Sequence, residues 1–251
     1  MDEQKRNSKA IFLWTGLVVS LILALGLVVS SFLVIKGVVT IKSSNFITVT
    51  GSAKKQIKSD LIVWRGNFTV QSPTLGAAFN TLKSDNQKVL NYLKKAGLTE
   101  KDFTVSAITT TNVYELLPNG GYSNNLIGYK LDQMVEVKSG EVDKIAEISR
   151  NSTELINDGV SFQSQPPQYY YTKIADLKIS MLADATKDAK NRAEQIALNT
   201  GTKIGDLKSA KMGVFQITPQ YSTEVSDSGI SDISSLNKEI TAVVTCDFET
   251  K

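Results

Sequence analysis

The 251-residue chain has no histidine and a single cysteine. Without imidazole there is no ordinary general base near neutral pH, no Ser-His-Asp or Cys-His arrangement and no imidazole metal ligand. The lone Cys246 excludes an internal disulfide, so stability must come from packing. Also lacking are a Cys-x-x-Cys pair, a P-loop, an EF-hand loop and a G-x-G-x-x-G turn after a strand. There is no clustered basic footprint either. Basic residues occur in pairs such as Lys54-Lys55 and Lys94-Lys95, and of the formal +3 only +1 lies beyond residue 36. Nucleic acid is therefore excluded as a partner. Carboxylates could still act alone, and Asp132, Glu136, Glu141 and Asp143 lie near one strand end. Strand alternation puts Asp132 and Glu136 on a solvated face, where surface charge is the better reading. The sequence offers no catalytic residue, no cofactor site and no metal site, and is read as non-enzymatic.

What the sequence does contain begins with an apolar run. AIFLWTGLVVSLILALGLVVSSFLVI, residues 10–35, is 26 residues without a charge, bounded by Lys9 and Lys36. As a helix it measures roughly 39 Å against a hydrocarbon core of roughly 30 Å, enough to span with tilt. It is longer than the apolar region of a cleaved signal peptide and has no nearby cysteine for acylation, so it reads as an uncleaved signal anchor. Lys5, Arg6 and Lys9 precede it, and only Lys36 and Lys42 follow closely. The positive-inside rule then leaves residues 1–9 cytoplasmic, with 36–45 as a linker and 46–251 as an extracytoplasmic domain. Nine cytoplasmic residues are too few for an inward signalling output.

Beyond the linker, residues 46–57 and 60–72 read as strands. In the second, Ile62, Trp64, Phe68 and Val70 share one face, and Gly66 interrupts it as at a bulge or a close approach. Ser72-Pro73-Thr74 opens a helix carrying Leu75, Phe79, Leu82, Val89, Leu93 and Ala96, stopped by Gly97. A strand over about 98–116, a turn at LPNGGYSNN and a returning strand follow. In the last, Tyr129, Leu131, Val135 and Val137 alternate with Lys130, Asp132, Glu136 and Lys138, the pattern of antiparallel sheet packed on one side. Residues 141–157 read as one helix, VSFQSQ as a strand, and about 171–199 as the longest helix. Leu182, Ala185, Ala189, Ala193 and Ile196 form its stripe, and small residues there permit close approach to a neighbour. Residues 204–217 read as a strand. The serine-rich stretch 218–237 is too long for an ordinary connection, a length that also suits a mobile segment. In the closing strand Cys246 shares a face with Ile240, Ala242, Val244 and Phe248, as a small buried hydrophobe. The class is α+β: mainly antiparallel sheet packed with two or three helices, preceded by a single N-terminal transmembrane helix.

Five stretches at matching spacing resemble the SIMPL-domain family: ITVTGSAKKQIKSD (47–60), LKKAGLTEKDFTVS (93–106), GYKLDQMVEVK (128–138), INDGVSFQSQ (156–165) and DATKDAKNRAEQIALNTGTKIGDL (184–207). The resemblance spans about residues 46–248. It implies a bacterial envelope protein, similar to periplasmic or outer-membrane immunogenic and oxidative-stress defence proteins, with no established enzymatic activity and a tendency to self-associate. Many relatives carry a cleaved signal peptide, whereas this chain looks anchored in the inner membrane by one pass.

Two functions follow as expectations. One is a membrane-anchored extracytoplasmic scaffold that assembles with itself, with a role in stress protection. The other is a ligand-binding module for an envelope glycan, lipid or small molecule, its stacking surfaces drawn from Tyr122, Tyr169, Tyr170, Tyr171 and Trp64. In QPPQYYYTKIAD (165–176) the two prolines favour a strand-to-helix junction, and neither strand nor helix spacing can put three successive tyrosines on one face. Tyr170 is expected to pack beneath the helix.

Overall fold

A computed structural model describes residues 20–36 and 46–251. Residues 20–36 form a helix, α1, with every side chain exposed. The expected span at 10–35 therefore lies partly outside the described residues. Among those described, no helix is long and apolar enough to cross a membrane.

From Phe46 onward the elements are β1 (Phe46–Lys58), β2 (Leu61–Ser72), α2 (Leu75–Lys95), β3 (Phe103–Val105), β4 (Thr109–Leu116), β5 (Tyr122–Ser139) and α3 (Val142–Asn151). There follow α4 (Glu154–Asn157), β6 (Phe162–Ser164), β7 (Gln168–Tyr170), α5 (Ile174–Asn199), β8 (Ile204–Met212), β9 (Gln216–Pro219), β10 (Ile230–Ser231) and β11 (Asn237–Thr250). The fold is α+β. One sheet has the order β1-β11-β9-β10, with β8 also on β11. The other has the order β3-β5-β2-β6, with β4 on β5 and β7 on β2. Pairing is antiparallel wherever the register is assigned, except for the parallel pair β9 and β10.

The chain divides into two compact units. The larger comprises Thr50–Lys190 and Lys211–Thr245, and the smaller draws on residues up to Val49, Asn191–Ala210 and Cys246–Lys251. Within the larger, β2, α2, β3/β4, β5, α3 and β6 run in the order β-α-β-β-α-β, and their strands lie side by side as second, third, first, fourth. This is a split β-α-β arrangement: α2 leads from β2 to β3 with the later strand β5 inserted between them, and α3 leads from β5 to the β6 side of β2. Eleven consecutive residue pairs from Ile62↔Ser139 to Ser72↔Tyr129 join β2 and β5. Alternation turns Ile62, Trp64 and Phe68 of β2 and Leu131, Val135 and Val137 of β5 to one buried face. Leu82, Val89 and Leu93 of α2 and Val142, Ile145 and Ile148 of α3 join the same core.

Gly66 is a close approach and not a bulge. Its register with β5 is unbroken, and a Cβ there would stand 2.1 Å from Phe162 Cζ. Thr74 caps α2 by accepting from the Ala77 amide. The inward line of that helix is Ala78, Leu82, Asp85, Val89 and Leu93, whereas Leu75 and Phe79, expected inside, are exposed. The helix expected over 141–157 breaks into α3 and α4 at Ser152, whose buried hydroxyl donates to Ser149 O. The strand expected over 204–217 is likewise two, parted at residues 213–215, with the Gly213 amide held on Val243 O at 2.9 Å.

The stripe expected on α5 is buried at Ala185, Ala189 and Ala193, but its line continues through Met181 and Ala197, whereas Ile196 is 44% exposed and Leu182 half-buried. Ala185 and Ala189 are fully buried, and a Cβ on Gly51 would lie 2.2 Å from Ala185 O and 2.3 Å from Ala189 N. Close approach of strand and helix thus requires the missing side chain, and the Ser52 amide adds a bond to Asp188 Oδ2 at 2.8 Å. The VTGS stretch and the alanine helix, far apart in sequence, are one packing arrangement.

In the smaller unit the end of β11 runs beside the start of β8, and Lys203 and Lys251 exchange backbone bonds of 3.0 and 2.8 Å. Asp247 accepts from Ser209 and Thr48, and these hydrogen bonds, Ser209 first, hold its carboxyl below its ordinary value. Cys246 is fully buried; burial first, and the charge of Asp247 second, push its thiol up. It is a packing residue, as β11 alternation predicts.

Candidate functional site

Past Ser72↔Tyr129 strand β2 ends, and among the described residues the first part of β5 has only β4 as neighbour. Gly128 marks this exit: a Cβ there would stand 2.7 Å from Ser72 O. From there to the turn, β4 and β5 form a two-stranded ribbon roughly 20 Å long. Its register runs from Thr109↔Asp132 to Leu116↔Tyr122, with shifts at Val113/Tyr114 and Tyr114/Leu116. The turn closes by Leu117 N–H to Gly121 O and Gly120 N–H to Leu117 O. Asn119 Oδ1 accepts from the Gly121 amide, and Gly120 supplies the positive φ of 82°. On the ribbon, Glu115 accepts from Asn125 and Ser123.

The arm is apolar without being packed. Leu116 is 64% exposed, Tyr122 74% and Ile127 48%, with Tyr114, Leu117 and Leu126 also open. Every β4 residue except Val113 is exposed. A two-stranded hairpin is marginal alone in water, and the β5 edge that β2 has left presents unpaired N–H and C=O groups.

The other candidate tyrosines lie elsewhere. Tyr169 and Tyr170 are in β7, opposite Ile62 and Leu61 of β2, and Ile62 is itself opposite Ser139 at the far end of β5 from Tyr122. That is roughly 50 Å away along the strand. Tyr169, not Tyr170, is the one packed against the core. Tyr170 donates through its hydroxyl to Gln168 Oε1 at 2.9 Å, and Tyr171 is half-buried at the junction. Adjacent strand residues face opposite ways, so Tyr169 and Tyr170 make no common platform. Trp64 is fully buried, with its Nε1–H on Ser164 Oγ at 2.9 Å, so it offers no stacking surface.

The helix expected from Tyr171 starts at Ile174, because β7 draws the tyrosines into the sheet. The Asp60 carboxylate then receives the Thr172 amide and hydroxyl at 2.7 and 2.8 Å. Pro166-Pro167 sits between β6 and β7, where the strand beside β2 is interrupted. A residue without an amide proton is tolerated there.

The four carboxylates flagged in the sequence go to four different cations. Glu136 pairs with Arg65, directly opposite in register, at 2.7 Å, and Asp132 with Lys130 at 3.2 Å. Glu141 pairs with Lys144 at 2.9 Å and Asp143 with Lys58 at 2.7 Å. Among the described residues no group of three or more acidic or cysteine side chains is placed to hold a metal ion. The Tyr92 hydroxyl, pushed up to about 12 by burial and then by the charge of Glu154, donates to Ile148 O. It is part of the packing between α2 and α3.

The stretches that carry the family pattern fall on two parts of the fold: ITVTGS in β1 packs through Gly51 on the alanine helix α5, and GYKLDQMVEVK lies in β5 of the other sheet. The SIMPL family model, described as a protein of unknown function (DUF541), matches residues 47–248. The chain belongs to the SIMPL family. No curated protein matches the chain. In this SIMPL domain the turn of the arm is legible in the sequence but its projection is not, because the early part of β5 alternates less clearly than the later part. The signal was present in LIGYK, where two large apolar residues precede a glycine that ends the pairing with β2.

Proposed function

We propose that this SIMPL protein is a non-enzymatic, membrane-anchored extracytoplasmic scaffold that assembles with itself through the β4–β5 arm. The observation that supports the reading is the arm itself, a ribbon with Leu116, Tyr122 and Ile127 open to solvent and one edge unpaired. A second copy supplies what the arm lacks, apolar cover and a strand for its edge. Anchoring by the apolar run at 10–35 holds copies in one plane and raises their local concentration. In this reading stress protection comes from a structural layer and not from turnover.

Size-exclusion chromatography with light scattering on residues 43–251 at tens of micromolar tests the assembly. An oligomer is expected, and a monomer alone overturns the proposal. Leu116→Asp with Tyr122→Asp should shift the oligomer to monomer at unchanged circular dichroism. An oligomer that survives both changes removes the arm from the account.

A further inference from the structure

The break between β8 and β9 leaves a hollow of about 460 Å³ beside the start of α5. Its size falls within the roughly 300–1,000 Å³ of small-molecule sites. Met212, Val214, Phe215, Ile217 and Ile230 line most of it, with Ser228 and Ser231 at one side, and among the described residues the one charged group in the lining is Lys178 of α5. The lining contains no carboxylate. Among the described residues Lys178 forms no ion pair, and its ammonium lies 5.3 Å from the centroid of the Phe215 ring. A half-buried cation with an aromatic face and no counter-ion is set for an anion.

The hollow is held open by backbone. Gly213 N–H is fixed on Val243 O and Gln216 lies opposite Thr241, so three steps of chain face two of β11 and residues 214–215 carry the surplus as a bulge. β9 has beyond it only the two residues of β10, so the sheet does not continue over the space. Gly229 closes the other side at φ 84°, and a Cβ there would stand 2.9 Å from Phe215 O. Met212 and Val214 are left about half exposed.

We infer that this hollow binds a free medium-chain carboxylate, with the head group on Lys178 and the acyl chain along Val214, Phe215 and Ile230. Charge complementarity selects an anion, and the apolar walls select an alkyl body over a sugar or a phosphate. The unbranched thioether of Met212 adapts to chains of differing length. The site is separate from the arm and from the tyrosines, and stands whether or not the arm mediates assembly.

The test uses the full chain in lipid nanodiscs and an octanoate carrying a diazirine near its methyl end. Irradiation is expected to label peptides covering 212–217 or 228–231. Unlabelled octanoate should compete, and octyltrimethylammonium at the same concentration should not. Lys178→Met should cut labelling about tenfold, whereas Lys178→Arg retains it. Val214→Trp, which fills the hollow, should abolish it with Lys178 in place. Labelling confined to other peptides, equal labelling in Lys178→Met, or competition by the cationic analogue would each overturn the assignment. Lys178→Arg separates loss of charge from loss of fold: a failure of both variants with an unchanged melting temperature counts against the ammonium as the anchor.

Discussion

At the residue scale, Gly66 and Phe162 occupy one space. The absent Cβ of Gly66 lets the Phe162 ring lie 2.1 Å from where that carbon would be, and the ring in turn stands 6.2 Å from Trp64. Gly66→Ala should therefore lower stability by about 1–3 kcal/mol in urea denaturation, the usual cost of overpacking. Adding Phe162→Leu should recover part of that loss, and strict additivity of the two changes would show that they do not share the space. The break at Gly66 in an alternating strand was legible in sequence. Its partner was not, since Phe162 lies almost a hundred positions on and nothing local marks the pairing. A second residue-scale case is Lys238, 2% exposed, whose ammonium donates to Asp232 O at 2.7 Å and pairs with its carboxylate at 3.1 Å. Burial pushes the Asp232 carboxyl up, but bonds from the Ser234 hydroxyl and amide, Lys238 and Ser235 outweigh it and hold the group at about 2. A carboxyl lowered on folding contributes stability above its unfolded value near 4 and loses it as pH falls through the folded one. Between pH 4 and pH 2 the native protein should lose on the order of 2 kcal/mol through this group. The stability of Asp232→Asn, measured by denaturant midpoint against pH, should fall less steeply over that window.

At the scale of elements, the long helix and the first strand depend on small residues facing each other. Because the atoms nearest a Gly51 Cβ are backbone atoms of α5, the helix must move as a body to admit it. Gly51→Ala should cost about 3 kcal/mol, the upper end of overpacking, or roughly 6–12 °C in melting temperature for a domain of this size. Gly76→Ala, with nothing within 4 Å of the new carbon, is the control. It should be neutral or stabilising by up to about 1 kcal/mol, since it removes unfolded-state freedom inside a helix. A melt in which both variants behave alike would sink the close-approach explanation. Here too sequence and structure part for physical reasons. The alanine spacing told that α5 would be approached closely, but not by what. Leu75 and Phe79 stand outside the inward line of α2 because phase along a helix, and not bulk, decides burial. Ala78 and Asp85 lie in line with Leu82, Val89 and Leu93, and Asp85 is carried inward with Lys88 as its partner at 3.2 Å. α5 begins three residues later than the sequence predicts because β7, a three-residue strand paired to β2, is too short to show alternation.

At the scale of the whole molecule, the proposed assembly works only if the domain lies on the far side of the membrane from the N-terminus. The charge asymmetry around residues 10–35 supports that orientation, with Lys5, Arg6 and Lys9 before the run. Cysteine chemistry can test it directly, since the one native thiol, Cys246, is buried and its reactive thiolate is disfavoured. A cysteine placed at Ser8 should resist a membrane-impermeant maleimide in intact spheroplasts and react after lysis. One placed at the exposed Glu224 should react in both. Alkaline carbonate should leave the full chain with the membrane, and a chain beginning at residue 43 should be released. Labelling at Ser8 in intact spheroplasts would put the N-terminus outside and reverse the orientation. The arms would then face the cytoplasm, so an envelope layer built from them could not form, whatever the purified domain does in solution.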